Sequence, residues 1–175
     1  YVALFSDITE RKAHESQLEH IAHFDALTNL PNRVLLADRL QQAMAQAQRR
    51  QQQLAVVYLD LDGFKTINDN HGHQAGDQVL ITLAQRMKEA LREGDSMARI
   101  GGDEFVAVLI DLQDPSACVP LLERLLVATA LPVQAGELSL QVSASLGVTF
   151  YPQPHDIDAD QLLRQADQAM YQAKV

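Results

Sequence analysis

After a polar turn region at residues 25–33, apolar residues at Leu35, Leu36, Leu40, Ala43, Met44 and Ala47 recur at the spacing of one helical face, which predicts a long amphipathic helix running to about Gln52. Leu54–Leu59 is an unbroken β-prone apolar run, as expected of a central strand covered on both faces, and polar residues resume at Asp60. Gly76-Asp77 opens a second predicted helix, with Val79, Leu80, Leu83, Met87 and Leu91 on its apolar side and an end near Gly94. Met97–Ile100 and Glu104–Ile110 are short strand candidates on either side of Gly101-Gly102, so a tight hairpin is the expected connection. Pro115–Leu131 reads as a third helix, Leu138–Tyr151 as one or two strands, and Asp160–Ala173 as a closing helix. This order implies an α+β fold: one mainly antiparallel sheet flanked by helices on at least one side.

The N-terminal segment has a different character. Tyr1–Phe5 reads as a strand, and Ser6-Asp7-Ile8-Thr9-Glu10 as a sequence able to cap a helix. Residues 8–23 are polar with sparse apolar positions, which suits an exposed linker helix. The expected division is therefore an upstream remnant and linker at 1–20 and one domain at 21–175. A length of 175 residues with 47% apolar content supports a single sizeable core. The net charge of −9 opposes a phosphodiester backbone and argues against nucleic-acid binding. No apolar stretch is long enough to span a bilayer, so no membrane contact is expected of this fragment. A lone Cys118, read as a small core residue, and the lack of a cleavable signal pattern fit the cytoplasm.

Candidate chemistry lies at the ends of the predicted strands. Asp60 and Asp62 flank Leu61 where the buried run stops, and side chains two apart share a face. Alone, they are polar residues ending a strand. Asp103-Glu104 follows a Gly-Gly turn whose missing side chains let a phosphate approach the backbone; alone, that is a hairpin with a charged tip. Together, a strand ending at Asp60 beside a hairpin opening on Asp103 brings carboxylates within reach of one metal site, the layout of two-metal phosphoryl transfer. On a regular strand Asp103 and Glu104 would face opposite sides, so one is expected to be the principal ligand and the other peripheral unless the turn re-aims it. His20, His23, His71 and His73 lack a companion set at zinc-ligand spacing, so no zinc site is expected.

Gly101-Gly102-Asp103-Glu104-Phe105 resembles the signature of the GGDEF family of diguanylate cyclases, and the rest of the chain agrees from about Ile21 onward. Asp25–Arg33, Asp60-Leu61-Asp62-Gly63-Phe64-Lys65, Asn68-Asp69, Gly72-His73, Gly76-Asp77 and Asp167–Lys174 are similar to that family's further motifs, in order. The resemblance implies a fold like class III nucleotide cyclases and polymerase palms, with GTP lying across Gly101 and Gly102. It implies magnesium or manganese held by Asp60, the Leu61 carbonyl and the acidic pair Asp103 and Glu104. Asp103, Glu104 and Lys65 form the implied catalytic set, Asp103 also as base for the attacking 3′-hydroxyl. Lys65 and Lys174 would neutralise the triphosphate, and the amides of Gly63, Phe64 and Lys65 would cradle its terminal oxygens. Asn68 and Asp77 match the guanine contacts, with His73 nearby.

The implied reaction joins two GTP molecules into cyclic di-GMP and needs a second copy of the domain about a two-fold axis. Arg92-Glu93-Gly94-Asp95, separated from Gly101 by five residues, resembles the family's RxxD inhibitory site for the product. Phe5–Lys12 resembles the closing strand and exit helix of PAS domains, so an upstream sensor is the expected partner. The resemblance also implies a further basic contact and a final strand beyond Val175. Two other readings are a catalytically silent module that binds GTP or cyclic di-GMP as a regulator, and a nucleotide cyclase or nucleotidyl transferase of another specificity.

Overall fold

In the computed structural model, which describes residues 2–174, the apolar run at 54–59 lies inside β1 (Gln53–Asp62). Residues 54–59 are all buried, because β1 occupies an interior place in the sheet. The hairpin partners β2 (Ser96–Gly101) and β3 (Glu104–Leu112) and the C-terminal β6 (Ser143–Tyr151) complete four antiparallel strands in the order β2-β3-β1-β6. A separate two-stranded ribbon pairs β4 (Val133–Ala135) with β5 (Leu138–Leu140).

Alternation along β1 divides the core in two. Ala55, Val57, Leu59 and Leu61 join the cluster containing Val79, Leu83 and Met87 of α4 (His73–Ala90) and Leu121 and Leu125 of α5 (Val119–Ala130). Leu54, Val56 and Tyr58 point the other way, into the cluster containing Leu36 and Leu40 of α2 (Arg33–Arg50) and Leu162, Ala166 and Met170 of α6 (Ala159–Lys174). Helices therefore cover both faces of the sheet. Asn32 fixes the start of α2, its side-chain oxygen accepting from the amides of Val34 at 3.0 Å and Leu35 at 3.1 Å. Cys118 is buried, as expected of a small core residue.

Several elements differ from the sequence expectation. The second long helix starts at His73, four residues before Asp77, because Gly72 makes the turn with φ +88° and the helix then runs through Gly76. A short helix, α3 (Phe64–His71), fills the segment between β1 and α4 that the periodicity left unassigned. The third helix begins as a 3-10 turn, Pro115–Cys118. At the N-terminus, α1 (Val2–His23) is continuous, so no strand forms over 2–5 and Ser6–Glu10 lie inside the helix instead of capping it; Tyr1 lies outside the described residues. The polar, sparsely apolar pattern favours an exposed helix there, and Ile8, Leu18 and Ile21 are solvent-exposed. No helix among the described residues is long and apolar enough to cross a membrane.

The approach of α6 to the sheet is set by Gly147, which pairs with Tyr58 across the β1–β6 ladder. A β-carbon at Gly147 would lie 2.1 Å from both the Ala166 carbonyl oxygen and the Met170 amide, so the helix backbone rests directly on the strand. Gly147→Ala is expected to lower stability by about 1–3 kcal/mol through overpacking, read as a lower urea midpoint by circular dichroism.

Candidate active site

The acidic residues converge where β1 leaves the core. Asp60 and Asp62 share the face of β1 that α6 covers. Lys174, at the end of α6, places Nζ 2.5 Å from Asp60 Oδ2 and 3.4 Å from Asp62 Oδ1. Ser145 on β6 donates to Asp62 Oδ2 at 2.8 Å. Asp60 Oδ1 is buried and has no hydrogen-bond partner among the described residues, a costly state for a carboxylate oxygen unless a cation or donor meets it.

Asp103 approaches from the hairpin. Gly101 pairs with Glu104, leaving Gly102 and Asp103 as a two-residue loop in which Gly102 takes a φ of +49°. The Asp103 carbonyl accepts from the Leu61 amide at 3.2 Å, continuing the β1–β3 ladder. Regular pleating would turn the Asp103 side chain away from Asp60, yet the loop re-aims it. Burial first, then the negative charge of the adjacent Asp60, push the Asp103 carboxyl up to about 6, with Lys174 opposing. A β-carbon added at Gly101 or Gly102 would meet nothing within 4 Å, so the hairpin surface is open to a ligand.

Glu104 stands directly opposite Asp60 in the ladder and accepts the Tyr58 hydroxyl at 3.0 Å. Among the described residues no three acid, imidazole or thiol groups form a ready-made metal cage. The acidic centre is the Asp60–Asp103 pair, with Lys174 as counter-ion and Glu104 bonded to Tyr58. That pair fits a hard divalent cation, since one buried oxygen lacks a partner and the two carboxyls repel each other.

The remaining predicted residues line the chain that follows. Gly63, with φ +85°, caps α3 without a side-chain hydrogen bond, so the first-turn amides at Phe64 and Lys65 are open to an anion immediately after Asp62. Lys65, His73 and Asp77 are exposed. Asn68 Oδ1 is buried without a partner among the described residues, and a β-carbon at Gly76 would sit 1.8 Å from it, so Gly76 makes the room that seats Asn68 beside the start of α4. Arg92 and Asp95 occupy the turn between α4 and β2. Asp95 receives Arg92 Nε at 3.0 Å and Nη2 at 3.0 Å, and Oδ1 also accepts the Ile110 amide at 3.0 Å. A cavity of about 300 Å³ beside them is lined by Arg39, Lys88, Arg92 and Met97. A larger groove of about 600 Å³ between α4 and α5 contains none of the residues singled out from the sequence.

Two residues were not visible as site components in the sequence. Tyr58 read as part of an apolar strand. Arg99 lay within the short strand candidate Met97–Ile100 with no role assigned, yet it ties the entry of the domain to the hairpin. Its Nη1 lies 3.1 Å from both Asp25 carboxylate oxygens, its Nε donates to the Gly102 carbonyl at 3.0 Å, and its amide donates to the Pro31 carbonyl at 3.0 Å. Burial alone would raise the Asp25 carboxyl, but the Thr28 hydroxyl and amide and then Arg99 hold it below the usual range. The only sequence signal for Arg99 was a cation two residues before the Gly-Gly turn.

Comparison with known proteins gives a family profile described as "Diguanylate cyclase, GGDEF domain", matching residues 22–175. The chain is 44% identical over 158 residues to the bifunctional diguanylate cyclase/cyclic di-GMP phosphodiesterase MucR of Pseudomonas aeruginosa, covering 90% of this chain and 23% of MucR. It is 41% identical over 160 residues to the diguanylate cyclase TpbB of Pseudomonas aeruginosa, covering 91% of this chain and 37% of TpbB. The chain thus spans well under half the length of these curated relatives. Among solved structures, the coiled coil and GGDEF domain of DgcB from Caulobacter crescentus, in complex with c-di-GMP, superposes with a TM-score of 0.86 at 26% identity, covering 99% of this chain and 91% of that one.

The electrostatics of the acidic pair set a pH dependence. A carboxyl raised from 3.8 to about 6 favours the folded state when protonated, so Asp103 costs stability above about pH 6 and the cost disappears as pH falls toward 4. In metal-free buffer, Asp103→Asn is expected to melt higher than the wild type at pH 7.5, with the difference vanishing near pH 4, measured by thermal melts across that range.

Proposed function

The chain belongs to the GGDEF family of diguanylate cyclases, and on that premise we propose that it condenses two GTP molecules into cyclic di-GMP with release of two pyrophosphates. The observation that carries this reading is Asp60 Oδ1, buried without a hydrogen-bond partner among the described residues, beside an Asp103 carboxyl pushed up by burial and then by Asp60's charge. Asp60, Asp103 and the Leu61 carbonyl would hold magnesium or manganese, which would neutralise the triphosphate and polarise the phosphorus under attack. Lys174, already poised at Asp60, and the exposed Lys65 would meet phosphate oxygens, and the uncapped amides at the start of α3 would take the terminal phosphate. The open Gly101–Gly102 surface lets the nucleotide lie flat on the hairpin. Asn68 and Asp77 would read the guanine edge, the buried Asn68 oxygen accepting from a guanine N–H and the Asp77 carboxylate taking a second, with His73 alongside.

Each domain binds one nucleotide, so the 3′-hydroxyl on one copy attacks the α-phosphate on a second copy about a two-fold axis, and pyrophosphate departs in line. In this reading Asp103 would accept the hydroxyl proton. The exposed helix α1 would carry the pairing and connect an upstream sensor to the site. With GTP as its substrate, the domain would work in the cytoplasm. The product would bind at Arg92 and Asp95: Arg92 Nε and Nη2 are engaged with Asp95, while Nη1 has no partner among the described residues and can donate to guanine or phosphate.

Incubated with GTP and magnesium at high protein concentration, the domain is expected to yield cyclic di-GMP and pyrophosphate at a rate that rises faster than linearly with enzyme, and to give no product from ATP. Asp103→Asn should lower kcat by on the order of 10²–10⁴-fold. Binding of GTP without product in the wild type would support the silent regulator instead. Arg92→Ala is expected to remove inhibition by added cyclic di-GMP, followed as the loss of product-dependent slowing in progress curves.

A further inference from the structure

We propose that Asp62 is a positioning residue that keeps the Lys174 ammonium at the phosphate-binding end of the site when Asp60 is engaged by a divalent cation. The inference rests on the reading of Asp60 as a cation ligand and of Lys174 as a triphosphate contact. Lys174 Nζ has two anionic partners, Asp60 Oδ2 at 2.5 Å and Asp62 Oδ1 at 3.4 Å. A cation on Asp60 would neutralise the nearer partner and repel the ammonium as a like charge. Lys174 closes α6, and its flexible aliphatic stem gives it many ways to leave for solvent. Asp62 is the anion that remains to hold it.

The surroundings of Asp62 suit that part. It is the last residue of β1, two positions beyond Asp60 and on the same face. Its two carboxylate oxygens have different partners. Oδ2 accepts from Ser145 at 2.8 Å and from Ser143 at 3.5 Å, while Oδ1 is the oxygen paired with Lys174. The register explains the arrangement: Ser143 stands opposite Asp62 in the β1–β6 ladder and Ser145 opposite Asp60, so both hydroxyls share a sheet face with both carboxylates. Two donors on one strand commit one oxygen and fix the carboxylate plane, which leaves the other oxygen for α6. Because α6 itself rests on β6 at Gly147, the anchor and the lysine are both referenced to the same strand. None of these contacts uses Asp60 Oδ1, the buried oxygen that has no partner among the described residues and suits the cation.

The test uses α,β-methylene-GTP, which cannot release pyrophosphate. Its affinity with magnesium is measured by calorimetry, its bound phosphates by phosphorus NMR, and manganese affinity without nucleotide by electron paramagnetic resonance titration. With side chains 32% and 38% exposed, the Lys174–Asp62 pair has a modest effect: Asp62→Asn is expected to weaken analogue binding about fivefold. The bound phosphorus resonances should move in the direction that Lys174→Gln moves them, which a purely structural aspartate would not cause. Manganese affinity should stay within about threefold of the wild type. In a Lys174→Gln background, adding Asp62→Asn should leave analogue affinity unchanged. Unchanged analogue binding by Asp62→Asn, an equal further loss in the Lys174→Gln background, or a fall in manganese affinity of about tenfold or more, the mark of a metal ligand, overturns the proposal. Lys174→Gln separates the two levels. If it weakens analogue binding while Asp62→Asn does not, the proposal alone fails; if Lys174→Gln itself changes neither affinity nor phosphorus resonances, the triphosphate is misplaced and the proposal falls with it.

Discussion

Two carboxyls drawn into one partly dry pocket repel each other, and the fold holds Asp60 and Asp103 in that state. The force that holds them is the antiparallel pairing of β1 with β3, which places Asp60 opposite Glu104 and joins the Leu61 amide to the Asp103 carbonyl. Strand pairing supported by cores on both sheet faces can impose such a juxtaposition, because sliding the register by one residue would turn every buried side chain of β1 to the wrong layer. The acidic centre is therefore under tension that a bound divalent cation would relieve, and that Lys174 relieves in part.

The surrounding structure reads as support for that tension. Gly147 lets α6 rest on β6, which brings Lys174 to the acids. Gly102 adopts the left-handed conformation that turns the hairpin sharply enough to present Asp103. Gly76 seats Asn68 beside the start of α4. In each case a missing side chain is used to place a neighbouring polar group, so the glycines and the charged residues form one design.

Much of this was legible in the sequence, and the misses have physical causes. The run 54–59 announced a doubly covered strand because nothing polar interrupts it, and Gly101-Gly102 announced the hairpin because few other connections suit two glycines between β-prone segments. The start of α4 was misplaced because a glycine ordinarily marks a boundary, whereas Gly76 is an interior residue retained for the close approach of Asn68. The helix α3 was too short for its periodicity to register. The apolar residues at 1–5 suggested a strand by composition, yet the backbone from Val2 continues the linker helix. Arg99 and Tyr58 were illegible for a different reason: their importance lies in partners 74 and 46 residues away in the chain, and spacing along a sequence carries no trace of such pairs.

The double attachment of Arg99 bears on where this unit can be cut. Its counter-ion Asp25 and the Pro31 carbonyl precede every strand of the sheet, yet the same side chain steadies Gly102 at the tip of the hairpin. A shortened version starting at the first regular helix after the linker, near Arg33, would keep the whole sheet while removing the buried Leu30 from the core and leaving this guanidinium without its anion. A piece that keeps both the Arg99 ion pair and Leu30 in the core therefore begins upstream of Asp25.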